Sequence, residues 1–270
     1  MAPATMKQLF TIEGKTAIVT GGSRGIGAMI ARGFVENGVR TYITARTEET
    51  CRSTAKALSA YGECIAIPAD LSTLEGIQQF AQTFASREEK LDILVNNAGY
   101  MKSRQTYESL SAAVEQFGEA DWDRAMDINL KGLFFLTQQL LPALKQAACV
   151  DDPARVINIA SNAGIIPPHR HTDYAYTSSK GGVINLTRHL AMSLAGDHIT
   201  VNTISPGLFT TEMTKEIIEQ RGDAFARSVP LGRIGTAEDI ASAAIYLSSR
   251  AGAWLTGVNI PVDGGNVVKR

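Results

Sequence analysis

The chain is poor in the residues that build several kinds of protein. Its three cysteines, Cys51, Cys64 and Cys149, are odd in number among 270 residues and lack the C-x-x-C or Cys/His spacing of a disulfide framework or a zinc site. They read as reduced thiols of a cytoplasmic protein. No stretch approaches ~18 uninterrupted apolar residues, and Met1 to Thr11 carries no apolar core for a signal peptide, so no membrane is expected. Neither sign of charge dominates: 26 Lys and Arg stand against 27 Asp and Glu, a formal net charge of -1. That balance argues against a nucleic-acid partner, which requires a basic excess or stripe. Linkers, repeats and low-complexity blocks are missing too, and with 44% hydrophobic residues the simplest reading is one domain over 1–270.

What is present is an alternation. Short apolar runs at Thr16–Thr20, Thr41–Thr44, Cys64–Ile67, Ile93–Val95, Val156–Ile159, Thr200–Thr203 and Val258–Ile260 read as strands, separated by helical patterns over 26–37, 48–60, 73–86, 121–147, 174–195 and 238–248. Apolar strands joined by helices predict an α/β, Rossmann-type, doubly wound parallel sheet of about seven strands flanked by helices. Such sheets bind ligands beyond the carboxyl ends of their strands. The segments near 100–119, 165–173 and 208–235 are therefore the expected substrate side, with Arg221 to Gly235 read as a mobile stretch.

Two local patterns carry chemistry. Tyr176 and Lys180 are four residues apart on an expected helix, so phenol and ammonium share one face and the cation favours the phenolate. Tyr174 has no such partner, because four residues on stands Ser178. Directly after the first strand, Thr20–Gly27 opens a helix with glycines at 21, 25 and 27. Gly21 suits a tight turn, Gly25 an approach to pyrophosphate and Gly27 close helix packing, with Ser23, Arg24 and Ile26 completing a dinucleotide-binding loop. The second strand ends in Arg46 and Thr47, with no acid for an adenine ribose. Arg46 and Arg24 favour a 2′-phosphate, hence NADP(H) over NAD(H). Asp70, followed by Leu71, is placed for the adenine amino group or as a helix N-cap.

Further motifs follow in order: Asn96–Gly99 after the fourth strand, Asn129 within Asp127–Gly132, Ser161 ending the fifth, Pro206-Gly207 after the sixth, and Thr256–Gly265 near the C-terminus. Together they make the chain resemble, over nearly its whole length, the short-chain dehydrogenase/reductase family, and within it the 3-oxoacyl reductases and related carbonyl reductases. The resemblance implies hydride transfer between a nicotinamide and a carbonyl or secondary alcohol. It implies a tetrad in which Tyr176 gives the proton, Ser161 a second hydrogen bond to the oxyanion, Lys180 a lowered Tyr176 pKa and a hold on the ribose, and Asn129 a water relay. It assigns Asn97, Ala98 and Gly99 to the cofactor's adenine-side ribose, Pro206, Gly207, Leu208 and Phe209 to the carboxamide, and Thr211 to the pyrophosphate. It suggests a homotetramer in which the long helices 121–147 and 174–195 pack across one two-fold axis. His169 and His171 lack a third ligand at metal spacing and are read as loop or substrate wall, with no metal.

The chain also departs from the family pattern. It is longer between Gly99 and Asn129 and around Ala147 to Pro153, and it has Gly196-Asp197-His198 where acyl-carrier-protein reductases often carry a basic residue before Ile199. The latter weighs against an acyl-carrier-protein substrate while leaving a related 3-oxoacyl thioester or a free ketone. The alternatives are an NAD-dependent secondary-alcohol dehydrogenase, a lyase or epimerase with retained cofactor, or a non-catalytic nucleotide-sensing protein of the same fold, which should show a damaged tetrad where this one is intact.

Overall fold

Strands covered on both faces are rich in apolar residues, and β5 (Ala154–Ile159) and β6 (Ile199–Pro206) are buried along their whole lengths, their polar members such as Arg155 and Asn158 included. The structure, a computed structural model, describes residues 5–102, 107–166, 173–212 and 214–269. In chain order β1 (Thr16–Thr20), β2 (Arg40–Thr44), β3 (Cys64–Ala66), β4 (Ile93–Asn96), β5, β6 and β7 (Asn259–Val262) form one seven-stranded sheet of order 3-2-1-4-5-6-7. Every pairing is parallel. The order reverses between β1 and β4, which opens a crevice at their carboxyl ends.

The helices are α1 (Met6–Phe10), α2 (Gly25–Glu36), α3 (Glu48–Leu58), α4 (Leu74–Ala85), α5 (Leu110–Glu115), α6 (Glu119–Met126), α7 (Gly132–Ala147), α8 (Tyr174–Leu194), α9 (Lys215–Ser228) and α10 (Ala237–Ser248). Alternating side chains of one strand feed opposite faces of the sheet. Ala17 and Val19 join Phe34 of α2, Cys51 of α3 and Ile240 of α10 in one core. Ile18 joins Phe80 of α4, Leu140 of α7 and Leu194 of α8 in the other. In α4 the buried Ile77, Phe80, Ala81 and Phe84 fall at helical spacing, and the Thr73 hydroxyl caps the first turn by accepting from Gly76 N.

Three expectations need correction. The helix read over 121–147 is two helices joined by a π turn, Asp127–Lys131, in which Gly132 N reaches back to the Asp127 carbonyl. The stretch read as mobile from Arg221 overlaps α9, whose backbone leaves helical values at Arg221 (φ -142°, ψ 16°). Arg221-Gly222 interrupts the apolar period there, which hides the helix from pattern reading. The segment after Tyr100 holds α5, a helix too short to show a period. His169 and His171 lie outside the described residues.

Candidate active site

The turn after β1 leaves ordinary backbone space at two glycines, Gly21 (φ +63°) and Gly25 (φ +54°). At Gly27 a Cβ would run into the Gly21 carbonyl and the Asn97 amide, so this glycine lets α2 start hard against the loop. Arg24 occupies the N-cap of α2 without a side-chain cap bond. The loop at the switch crevice thus offers backbone donors and the positive end of a twelve-residue helix.

Around it stand the expected cations. Arg24 and Arg46 are exposed, and among the described residues neither lies in an ion pair. The next acid along the chain, Glu48, is turned away to the Arg52 guanidinium at 2.7 Å. Asp70 is not the cap of α4; that is Thr73. Instead its Oδ1 accepts from the backbone N (3.0 Å) and hydroxyl (2.7 Å) of Ser72. Burial raises the Asp70 pKa, but the two Ser72 bonds, with Arg46 and Arg124 nearby, outweigh it and hold the carboxyl below its usual value. Thr47 opens α3 as its N-cap, and Ser23 gives its carbonyl to Thr54 (3.0 Å). Glycine cradle, free helix donors and two unpaired guanidiniums fit a dinucleotide with an extra phosphate on its adenosine end.

The strand ends are tied to this loop. Thr20 Oγ1 accepts from the backbone N of both Asn97 and Ala98 (2.9 Å each). Gly99 lies between two tetrad members: a Cβ there would sit 3.4 Å from Asn129 Oδ1 and 3.6 Å from Lys180 Nζ. The side chains of Leu71 and Phe209 belong to the hydrophobic cores. Gly207 packs against Asp263, where a Cβ would approach the Asp263 Cβ to 2.7 Å. Thr211 exchanges hydrogen bonds with Thr214. Its methyl and Cβ would be 3.4 Å from a Cβ at Gly25, which puts Thr211 beside the glycine loop.

Tyr176, Lys180, Ser161 and Asn129 converge at the carboxyl ends of β4 and β5. Ser161 lies two residues beyond the end of β5, is buried, and accepts from Ala163 N at 3.1 Å. Burial raises the Tyr176 pKa, a hydrogen bond with Ser161 opposes it, and the Asp173 carboxylate adds to the rise. Lys180, 4% exposed, is pushed down to about 8 by burial. Its Nζ donates to the Ile159 carbonyl at 2.7 Å and lies 5.8 Å from the Tyr176 ring centroid. The Lys180 ammonium thus donates to a backbone carbonyl while lying beside the phenol ring, and the Ser161 hydrogen bond acts to lower the phenol's pKa. Asn129, buried in the π turn, accepts from Tyr100 N (2.7 Å) and donates to the Tyr100 carbonyl and Ser179 Oγ (2.9 Å each).

Pattern reading missed Asp173 and the polar wall above it. Asp173 caps α8, Lys102 Nζ pairs with Asp121 at 2.7 Å, and the Arg124 guanidinium stacks over Tyr100 at 4.3 Å. An acid three residues before the tyrosine was the available signal.

A doubly wound sheet with a phosphate cradle at its switch point and a tyrosine-lysine-serine-asparagine cluster beside it defines a nucleotide-dependent oxidoreductase of the short-chain dehydrogenase/reductase family, to which the chain belongs. The family whose model matches, over residues 21–266, is described as Enoyl-(Acyl carrier protein) reductase. Over 262 residues the chain is 47% identical to the rhamnolipids biosynthesis 3-oxoacyl-[acyl-carrier-protein] reductase of Pseudomonas aeruginosa, covering 96% of this chain and 99% of that one. The structure superposes on the Pseudomonas aeruginosa RhlG/NADP active-site complex with TM-score 0.90 and 45% identity, covering 97% and 100% of the two chains. A 3-ketoacyl-(acyl-carrier-protein) reductase from Brucella melitensis complexed with NADH is similar at TM-score 0.85 and 29% identity, over 96% and 100%.

Proposed function

We propose that the protein is an NADP(H)-dependent reductase that converts a ketone, with a 3-oxoacyl thioester favoured over a free ketone, to the secondary alcohol. The observation that carries the reading is the convergence of Tyr176, Ser161, Lys180 and Asn129 beside the glycine loop. The 3-oxoacyl preference is supported by the relatives named above. NADP over NAD is supported by the two unpaired guanidiniums at Arg24 and Arg46 and by Glu48 facing Arg52.

When bound, NADPH supplies the hydride. As the carbonyl carbon receives it, the π pair moves to oxygen and the Tyr176 proton is transferred there, while Ser161 donates the second hydrogen bond to the developing charge. A lysine pushed down to about 8 exchanges its proton near neutral pH, which suits Lys180 to reprotonating Tyr176. Asn129 holds the Tyr100 backbone so that Gly99, Lys180 and the π turn keep their spacing.

The same reading has the protein work in the cytoplasm as a homotetramer. All three cysteines are free, and among the described residues no helix is long and apolar enough to cross a membrane. Support for assembly comes from an open groove of about 530 Å³ between α7 and α8, lined by Met126, Leu130, Phe134 and Leu186 among others, and from Trp254, 98% exposed.

The test is NADPH oxidation with a panel of 3-oxoacyl thioesters and free ketones. Tyr176→Phe is expected to lower kcat by about 10²–10⁴-fold. Undiminished turnover in that variant sinks the mechanism.

A further inference from the structure

We infer that Thr187 is a positioning residue for the reaction: its buried hydrogen bond from Asn158 fixes how far α8 sits along β5, and so where Tyr176 and Lys180 meet Ser161. The inference rests on the tyrosine mechanism proposed above and adds to it a residue outside the tetrad.

A row of polar side chains crosses the face of the sheet that α7 and α8 cover. Asn96 of β4, Asn158 of β5 and Thr203 of β6 are register partners on neighbouring strands, so their side chains share one face. The Asn96 amide donates to Thr137 Oγ1 of α7 (3.1 Å) and to Asn158 Oδ1 (2.9 Å). The Asn158 amide donates onward to Thr187 Oγ1 of α8 (2.9 Å), and the Thr203 hydroxyl donates to the same oxygen (2.8 Å). None of the five residues is more than 4% exposed. One chain of hydrogen bonds thus joins three central strands to both helices.

Thr187 lies seven residues beyond Lys180, two turns and about 10 Å along the axis on the same stripe. Val183 and Ile184 are buried between them. Asn158 immediately precedes Ile159, whose carbonyl accepts from Lys180 Nζ at 2.7 Å. Adjacent residues of β5 therefore hold α8 at two points. The valine and isoleucine between those points pack without directional preference, whereas a hydrogen bond weakens steeply once misaligned. A buried polar group left without its partner is costly, so the alignment that keeps the row paired excludes neighbouring ones. A slip of α8 by one residue would carry Tyr176 about 1.5 Å along the axis. Misplacing a reacting group by about 1 Å can cost about 10²-fold in rate.

Thr187→Val exchanges the hydroxyl for a methyl at nearly constant shape, and Thr187→Ser keeps the hydroxyl while losing the methyl. For both, kcat for ketone reduction at saturating NADPH, NADPH affinity and melting temperature are measured. Thr187→Val is expected to lower kcat by about 10–100-fold. Its NADPH affinity should change far less, because the glycine loop lies outside the row. Thr187→Ser is expected to keep kcat within about threefold of wild type although the lost methyl lowers its melting temperature. Activity then follows the hydroxyl and not the stability. Wild-type kcat in folded Thr187→Val overturns the inference, and so does an equal loss in both variants. Should Thr187→Val not fold, Thr187→Ala against Thr187→Ser differs by the same oxygen and is read in the same way. Tyr176→Phe, assayed alongside, separates the two failures. Full activity there overturns the tyrosine mechanism, whereas wild-type kcat in Thr187→Val beside an inactive Tyr176→Phe overturns the positioning alone.

Discussion

The side-chain amide of Asn97 donates to the carbonyl of Thr20 at 2.8 Å and to that of Gly21 at 3.3 Å. One side chain thereby staples the end of β4 to the start of the phosphate loop across the switch crevice. Because it occupies the space that a Cβ at position 27 would enter, the staple and the glycine at 27 require each other.

Gly27→Ala is accordingly expected to lose both stability and cofactor affinity. An alanine in a helix gains up to about 1 kcal/mol over glycine, whereas forcing a methyl into a filled site costs typically about 1–3 kcal/mol. The clash is with backbone and a bonded amide, so the second effect should win. Thermal unfolding and NADPH titration check it; a variant more stable than wild type contradicts the packing described.

Arg46→Ala is expected to reduce the preference for NADPH over NADH by about ten- to hundredfold, the scale of one charge-assisted phosphate contact. The readout is kcat/KM with each cofactor. NADH kinetics should change little, since that molecule lacks the 2′-phosphate. An unaltered ratio would show that the end of β2 does not choose the cofactor.

Asp152 lies in one of the stretches that departs from the family pattern, and its carboxylate serves two cations at 2.6 Å each, Lys15 and Arg155. Arg155 has no exposed surface; its Nη2 donates to the Ser249 carbonyl at 2.9 Å, and among the described residues its Nε has no hydrogen-bond partner. Asp152→Ala would strand that guanidinium and is expected to cost about 3–5 kcal/mol, read as a lower denaturant midpoint. By contrast, removing Glu36 from its exposed pair with Arg32 should change little.

The same carboxylate gives stability a pH dependence. Burial raises the Asp152 pKa, but Lys15 and Arg155 outweigh it and hold the group below its ordinary value. A depressed folded pKa contributes stability that is fully present above the unfolded value and is lost as pH falls through the folded one. Wild type should thus lose part of its stability advantage over Asp152→Asn on acidification, measured by denaturant unfolding across that range.

How much of this was legible in the sequence depends on the kind of signal. The strands were readable because a sheet buried on both faces demands unbroken apolar runs, as in Ile93–Val95. The glycine loop and the Tyr176–Lys180 pair were readable because local spacing encodes their geometry, whereas Ser161 and Asn129 stood out only through the resemblance to the family. The partner of the Lys180 ammonium was not, since a carbonyl at Ile159 carries no side-chain signature. The π turn was equally hidden: its residues are ordinary helix formers, and only tertiary packing of Asn129 against Tyr100 and Ser179 selects the wider turn. Helix α9 escaped because Gly222 sits where a pattern reader expects a break.

That wider turn also makes the length of the chain between wall and tetrad an adjustable setting. Each residue advances a helix by about 100°, and the extra residue at Asp127–Lys131 puts α6 out of phase with α7. Deleting one residue there would let the two helices fuse in a common phase, swinging Arg124 around the axis and off the Tyr100 ring while α7 stayed packed on the sheet. A single-residue insertion or deletion beside Asn129 would therefore re-aim the substrate wall while leaving Tyr176, Lys180 and Ser161 on their own elements, a route by which one scaffold can change the molecules it accepts.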